Sequence, residues 1–180
     1  MKTWRIYLRA LQSDDYKNTI NWRNDDEIWS MLVGPKHFVS PDYEKKWVEE
    51  AIFDKINIRL AICLKKNNEH IGNIYLNEID WINRSAVAGI LIGDKRYWGG
   101  GYAVEAYLLL FSFAFLDRGL HRISMPILEY NTKSQSVAEK LGGIREGLLR
   151  EAVYKNGKYH NIVIFSFLKD EFIEIKKQYG

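Results

Sequence analysis

The sequence predicts an α/β (α+β) fold in which a mixed, mostly antiparallel sheet of about seven strands is flanked by helices. Seven short segments show the alternating apolar pattern of half-buried strands, and three of them follow one another with only turn residues between them, which is typical of an antiparallel meander. An almost wholly apolar helical segment comes after the meander and predicts a helix that is buried against the sheet.

The first third of the chain predicts one strand and three helices. Residues 4–8 alternate apolar and polar side chains and predict the first strand. Ser13 is predicted to cap a helix over residues 16–22, and a second small helix is predicted within residues 22–32. Ser40–Pro41 combines a capping residue with a residue favoured in the first helical turn, so a third helix is predicted to begin there.

The middle of the chain predicts the meander. Its strands are expected over residues 57–65, 70–81 and 83–93. Asn67 and Asn68 supply the turn between the first two. Because only short turns separate these segments, neighbouring strands should pair antiparallel.

The last part of the chain returns to mixed elements. Residues 102–117 contain no glycine or proline and predict the buried helix, which should end before Gly119. Asn156–Gly157, between two alternating segments, is a strong signal for a two-residue hairpin turn. Three further elements are predicted: a strand over 121–129, a helix from Asn131 to Gly142, and a charged last helix over 170–177.

Composition restricts the classes of function. The formal charge is only +3 and basic residues form no block, which argues against a nucleic-acid partner. Cys63 is the single cysteine, so neither a disulfide framework nor a thiolate metal cluster is expected. The start of the chain lacks a signal peptide and no apolar run reaches the ~18 residues of a membrane span. We therefore expect one cytoplasmic domain over residues 1–180, with no membrane partner.

The stretch RYWGGGYA, residues 96–103, places three glycines between a strand pattern and a helix pattern. Bare backbone N–H groups at a helix N-terminus bind anions, and glycine lets a phosphate approach closely, so a pyrophosphate site is predicted. A tight structural turn is the alternative. Tyr102 and Ala103 exclude the P-loop motif, which needs Lys and Ser or Thr there, and the spacing of the dinucleotide motif also fails.

This stretch, together with a second motif, resembles the GNAT superfamily of acyl-CoA-dependent N-acetyltransferases. The family signature Q/R-x-x-G-x-G/A corresponds to Arg96–Gly101, and the family's downstream Asn corresponds to Asn131 in NTKSQSVAEKLGG, where Gly143 replaces the usual Phe. The resemblance covers practically the whole chain. It is closest to the ribosomal-protein alanine acetyltransferase-like branch, whose relatives act on spermidine and amino sugars.

The resemblance implies that acetyl-CoA binds where the fourth and fifth strands splay apart. Pro126 supports the splay independently, because a strand paired on both sides does not tolerate proline. The fourth strand would bind the pantetheine arm, the glycine loop the pyrophosphate, and the Asn131 helix the far side of the cofactor. The implied cofactor-binding residues are Ile90, Leu91, Ile92, Arg96, Trp98, Gly99, Gly100, Gly101, Tyr102, Ala103, Val104, Asn131 and Ser134.

The expected reaction is direct attack of a primary amine on the thioester of acetyl-CoA. The amine must first lose a proton, and backbone N–H groups of the fourth strand can stabilise the resulting oxyanion. No metal is needed. Two usual proton handlers of the family are missing, since Val87 stands in place of a Glu and Ala138 in place of a Tyr.

Three residues are candidates for the missing catalytic roles. Glu78 is a candidate base, directly or through water, or else a solvated carboxylate at a strand end. Ser134 is a candidate acid for the departing thiolate, although a capping or cofactor contact is its plainer role. His160 has a suitable reference pKa of ~6.5, or is a structural histidine.

The acyl acceptor is expected to be a small-molecule amine such as a polyamine or amino sugar, or a peptide N-terminus. Asp25, Asp26 and Glu27 either attract a cationic acceptor or serve as charges at a helix N-terminus, which is the favoured interpretation. Tyr154 and Tyr159 are candidates for the opposite wall. A homodimer is a further expectation. The alternative to an enzyme is a catalytically inactive acyl-CoA-binding sensor or interaction module.

Overall fold

The structure is a computed structural model and describes residues 4–179, so residues 1–3 and 180 of the predicted domain lie outside the described residues. The described residues form a seven-stranded sheet, as predicted, and its strand order is β1-β2-β3-β4-β5-β7-β6. Its strands are β1 (Ile6–Ala10), β2 (Ile58–Leu64), β3 (His70–Asp80), β4 (Ser85–Ile92), β5 (Arg122–Leu128), β6 (Ile144–Lys155) and β7 (Lys158–Leu168). The β4–β5 pair is parallel, whereas the other neighbours pair antiparallel.

The helices begin close to the predicted positions. They are α1 (Tyr16–Arg23), α2 (Asp26–Ser30), α3 (Pro41–Phe53), α4 (Tyr102–Ser112), α5 (Thr132–Lys140) and α6 (Lys169–Lys177). Ser40 caps α3, because its side chain accepts a hydrogen bond from the N–H of Tyr43. The predicted Ser13 cap is wrong. A short 3₁₀ turn precedes α1 there, since the Asp15 carboxylate folds back to accept from the N–H of Gln12 at 2.8 Å.

Aromatic packing fixes α4 against the sheet. Phe111 of α4 packs on Phe167 of β7 with ring centroids 4.9 Å apart, and Phe115, in the π-helical turn Phe113–Asp117 that follows α4, packs on Phe172 of α6 at 5.3 Å. All four side chains are buried. Because each large aromatic removes an extensive apolar area from water, these contacts hold the C-terminal end of α4 against the sheet and α6.

The chain end contains the predicted hairpin. Asn156 and Gly157 have φ angles of 50° and 76°, which match the two-residue turn that favours this dipeptide. The alternating segment LLREAVY, residues 148–154, predicts the first strand of this hairpin, but β6 starts earlier, at Ile144, and forms the exposed edge of the sheet. No helix within residues 4–179 is long and apolar enough to cross a bilayer.

β4 and β5 separate along their length, as predicted. Their parallel pairing covers only Ser85–Val87 against Arg122–Ser124. β4 continues its pairing with β3 up to Ile92. Pro126 lies on β5 beyond the last pair with β4 and faces Ile164 of β7 in the register on the other side. The missing N–H of proline is therefore tolerated, because one side of β5 is open at this point.

Candidate active site

The opening between β4 and β5 forms a cavity of about 260 Å³, which we call the splay cavity. Four parts of the chain enclose it: the diverging strands, the first turns of α4 and α5, the segment after α2, and the end of β3. The lining residues are Met31, Leu32, Val33, Gly34, Tyr75, Asn77, Val87, Ala88, Gly89, Ile90, Ala103, Tyr107, Met125, Pro126, Ile127, Asn131, Ser134 and Val137. The wall is mainly apolar, with a few polar groups at the two ends.

The free edge of β4 is the main hydrogen-bonding surface of this cavity. Within the described residues, the ladder between β4 and β5 stops at Val87. Residues 88–90 pair with β3 on one side, and their other edge faces the cavity without a β5 partner. An unpaired strand edge binds extended chains through their amide groups, so this edge is suited to a ligand that carries amides.

The glycine loop lies at the end of β4 and leads into α4. Gly99 and Gly101 have φ angles of 72° and 82°, a conformation that favours glycine. Gly101 is the N-cap of α4, and the N–H of Glu105 makes the first helical hydrogen bond to its carbonyl at 3.2 Å. The N–H groups of residues 102–104 precede that bond and point out of the helix end. These groups and the helix dipole form a site for an anion.

Arg5 holds the glycine loop in place. Its Nε donates to the buried Glu105 carboxylate at 2.6 Å, and its terminal nitrogen donates to the carbonyl of Gly100 at 2.8 Å. The guanidinium also lies 4.1 Å from the centroid of the Tyr102 ring. The sequence prediction missed this contact because about a hundred residues separate Arg5 from its partners and no motif links them.

Other predicted cofactor residues have partners inside the protein. The Arg96 guanidinium is exposed and binds Asp94 and Glu69, each at 2.5 Å. The indole nitrogen of Trp98 donates to the carbonyl of Ile92 at 2.7 Å. The Leu91 side chain is buried and lines the second cavity described below, whereas Val87, Ala88, Gly89 and Ile90 line the splay cavity.

Asn131 opens α5 and connects it to the segment after α2. Its Oδ1 accepts from the N–H of Ser134 at 3.1 Å, and its Nδ2 donates to the carbonyl of Met31 at 3.0 Å. Asn131 and Ser134 both line the splay cavity, as the predicted cofactor contact requires. The N-cap geometry also confirms the predicted start of this helix.

Glu78 and His160 lie outside the lining of the splay cavity. Glu78 is exposed in a bulge of β3 with a φ angle of 52°, and its N–H donates to Oδ1 of Asn57. His160 Nε2 lies 3.3 Å from the carbonyl oxygen of Lys155, and its ring packs at 5.0 Å against Tyr130. The structure thus brings Ser134 to the cavity but not the other two candidates.

Asn77, the residue before Glu78, does line the splay cavity. Its Oδ1 is buried and has no hydrogen-bond partner within residues 4–179. A buried amide oxygen without a donor is unusual, so it marks a position where a ligand or solvent donor is expected. No pattern in the sequence indicated Asn77, because the bulge at Glu78 cannot be predicted from local residues.

A second cavity of about 270 Å³ adjoins the first, and we call it the aromatic cavity. The two cavities share Leu32, Gly34 and Tyr75 as common wall. Burial raises the pKa of Tyr75 to about 12, so its hydroxyl stays protonated at neutral pH. The aromatic cavity is lined by Thr19, Arg23, Trp29, Leu32, Gly34, Pro35, His37, Val39, Glu44, Trp47, Asn73, Tyr75 and Leu91.

The acidic cluster before α2 is part of the helix terminus rather than of either cavity. Asp25 is the N-cap and accepts from the N–H groups of Glu27 and Ile28. Lys95 binds Asp25 at 2.8 Å and Glu27 at 2.6 Å, and Lys36 pairs with Asp26. Their charges are therefore neutralised within the protein.

The two tyrosines predicted as a wall lie elsewhere. Tyr154 and Tyr159 are exposed and pack edge to face against each other, with ring centroids 5.1 Å apart. They belong to the far end of the hairpin. Among the described residues, no three His, Cys, Asp or Glu side chains come together as a metal site.

A free strand edge beside a helix N-terminus is the geometry expected for a transferase that uses an acyl-CoA, whose arm carries amides and whose pyrophosphate is anionic. Comparisons with known proteins agree with this geometry. The family model described as acetyltransferase (GNAT) domain matches residues 5–144, so the chain belongs to the GNAT acetyltransferase family.

The chain is similar to several bacterial proteins of this family. It is 29% identical over 172 residues to an uncharacterized N-acetyltransferase, p20, of Bacillus licheniformis, covering 94% of this chain and 96% of the relative. It is 36% identical over 101 residues to a putative ribosomal N-acetyltransferase of Bacillus subtilis, covering 56% and 55%. A crystal structure of spermidine N-acetyltransferase from Vibrio cholerae with CoA and spermine has a TM-score of 0.87 at 26% identity, covering 94% and 98%.

The predicted fold and enzyme class are therefore confirmed. The protein is an acetyl-CoA-dependent N-acetyltransferase of the GNAT fold, and it transfers the acetyl group to an amine.

Proposed function

We propose that acetyl-CoA binds along the free edge of β4, with its thioester in the splay cavity and its pyrophosphate at the glycine loop. The observation that carries this proposal is the divergence of β4 and β5 directly before the N-terminus of α4. The pantetheine arm contains two amides, which match the free edge of residues 88–90 on the side away from β3. The pyrophosphate would accept from the N–H groups of residues 102–104.

The amine attacks the thioester carbon inside the splay cavity. A C–N bond forms, the carbonyl oxygen becomes an oxyanion, and N–H groups of the free β4 edge stabilise it. The C–S bond then breaks and the thiolate leaves. Its reference pKa of ~8.5 makes the need for an acid modest, and Ser134, which lines the cavity, is the candidate donor.

The amine proton leaves through water in this proposal. Val87 and Ala138 occupy the usual family positions of the base and the acid, and neither side chain can carry a proton. Asn77 Oδ1, buried at the β3 end of the cavity without a partner in the described chain, is suited to orient such a water. Positioning of two bound reactants would supply much of the acceleration.

The acceptor enters through the aromatic cavity. This cavity shares a wall with the splay cavity, so an amine bound there can reach the thioester from the side opposite the cofactor. A small-molecule amine fits its volume of about 270 Å³. The candidate acceptors are a polyamine, an amino sugar and a peptide N-terminus. The similarity to a spermidine N-acetyltransferase and to a putative ribosomal N-acetyltransferase supports the first and the last.

A homodimer and a cytoplasmic location complete the proposal. The β6 edge exposes Ile144, Leu148 and Leu149, which is a plausible surface for a second copy. Cys63 is buried and unpaired, in keeping with a reducing compartment. Light scattering of the purified protein would measure the assembly state.

Acetyl transfer with an amine panel tests the proposal. Release of free thiol from acetyl-CoA is measured with and without each amine, and the acetylated product is identified by mass spectrometry. Amine-dependent thiol release supports the enzyme. Tight acetyl-CoA binding with no release above hydrolysis, for every amine, supports the alternative, a sensor module without catalysis.

A further inference from the structure

Glu44 lies at the floor of the aromatic cavity and is fully buried. Neither oxygen of its carboxylate has a hydrogen-bond donor within residues 4–179, and the same holds for the buried hydroxyl of Thr19 beside it. Burial raises the pKa of Glu44 above its usual value, although the nearby Thr19 hydroxyl and the charge of Arg23 act in the opposite direction. Buried polar groups in folded proteins are nearly always hydrogen-bonded, so this cluster is incomplete by itself.

Arg23 satisfies the Glu44 carboxylate only in part. Its Nε lies 3.4 Å from Oε2 of Glu44, within ion-pair range but without hydrogen-bond geometry. The guanidinium instead stacks over the Trp47 ring, 4.9 Å from the centroid. The ion pair balances the charge of Glu44, yet it leaves the lone pairs of the carboxylate open toward the cavity.

The other charged groups around the cavity are mostly cations. Arg59 lies 5.6 Å from the centroid of Trp47, whereas Lys36 and Lys155 lie 5.4 Å and 3.8 Å from the centroid of Trp29. Arg59 pairs with Asp54, as Lys36 does with Asp26. The surroundings of the cavity are therefore neutral to positive, which disfavours a molecule with several positive charges.

Resting on the proposed function, we propose that Glu44 and Thr19 bind the acyl acceptor, and that the acceptor is a compact primary amine with neutral hydrogen-bond donors. Hydroxyl or amide N–H groups of such a molecule would satisfy the Glu44 carboxylate and the Thr19 hydroxyl while its amine reaches the shared wall with the splay cavity. An amino sugar and a peptide N-terminus share this chemistry. A polyamine does not, because its donors all carry charge.

The test compares Glu44→Gln with Glu49→Gln, a change of the same type at an exposed position of the same helix. Steady-state acetyl transfer is measured with glucosamine, L-alaninamide and spermidine as acceptors. We expect Glu44→Gln to raise the KM of the preferred acceptor by roughly tenfold to a hundredfold, as for a lost hydrogen bond to a charged group. The KM of acetyl-CoA should stay level, and Glu49→Gln should behave as wild type.

The preferred acceptor among the three shows which class of amine the site binds. Preference for glucosamine identifies an amino sugar, and preference for L-alaninamide identifies a peptide N-terminus. Preference for spermidine overturns the proposal. A melting temperature lowered in Glu44→Gln with an unchanged KM also overturns it, since Glu44 would then serve only the ion pair with Arg23.

A binding measurement keeps the inference separate from the proposed chemistry. The indole N–H signals of Trp29 and Trp47 are followed by NMR while L-alaninamide or glucosamine is added. Shifts that vanish in Glu44→Gln support the site even if no thiol is released, in which case only the proposed function fails. Should Glu44→Gln not fold, Thr19→Val removes the hydroxyl alone, and shifts equal to those of wild type would overturn the inference.

Discussion

Gly99→Ala separates the backbone conformation of the glycine loop from the space that it keeps for phosphate. Gly119 offers a matched control, because its φ angle of 70° is nearly that of Gly99, 72°. At both positions an added Cβ would meet no described atom within 4 Å. The left-handed conformation costs a residue with a side chain ~1–2 kcal/mol. Both variants should therefore lose about the same stability, a fall of roughly 2–4 °C in melting temperature per kcal/mol.

The two variants should differ in their affinity for acetyl-CoA. Only at Gly99 does the methyl group stand at the proposed pyrophosphate position, where it would block close approach of the backbone N–H groups. We expect the Kd of Gly99→Ala to rise at least ~tenfold, or ~1.4 kcal/mol, and that of Gly119→Ala to remain at the wild-type value. Calorimetric titration with acetyl-CoA, with melting followed by circular dichroism, measures both quantities. Equal affinities in the two folded variants would remove Gly99 from the phosphate site.

Three further variants test other parts of the structure. Burial lowers the pKa of Lys155 to about 8, below its unfolded value of 10.5, so the free energy of unfolding should rise between pH 8 and 10.5. Lys155→Met should abolish this rise. Urea unfolding measures it, and the same pH dependence in variant and wild type would contradict the prediction. Asn131→Ala and the control Ser40→Ala each remove a helix cap worth ~1 kcal/mol. Only Asn131→Ala should weaken acetyl-CoA binding measured by calorimetry. Equal affinities of the two variants would mean that Asn131 serves only as a helix cap. Glu78→Gln should keep a near-wild-type rate, because Glu78 lies outside both cavities; a fall of ~10²–10⁴ would instead identify it as the base.

Local sequence patterns were sufficient to predict the fold and the position of the glycine loop. A strand, three glycines and an apolar helix follow one another directly in the chain, so the anion site at the start of α4 depends on neighbouring residues. The hairpin turn at Asn156–Gly157 is local in the same sense. Pro126 showed the splay because proline limits strand pairing wherever it occurs.

The rest of the site depends on contacts that no local pattern contains. The positive φ angle of Glu78 shifts the register of β3, and a shift of this kind changes which side chains face the cavity. Arg5 reaches the glycine loop from the other end of the sequence. Glu44 occupies a helix that looked like an ordinary amphipathic one, and only the packing of α3 against α1 shows that its carboxylate is buried.

The most direct test of the central claim is acetyl transfer itself. The purified protein is mixed with acetyl-CoA and each amine of the panel, and free CoA and acetylated amine are quantified together by mass spectrometry. Direct attack on the thioester predicts that the two products appear in equal amounts and only when an accepted amine is present. CoA bound to the protein with no acetylated amine from any acceptor, at saturating amine and across pH, would contradict the claim.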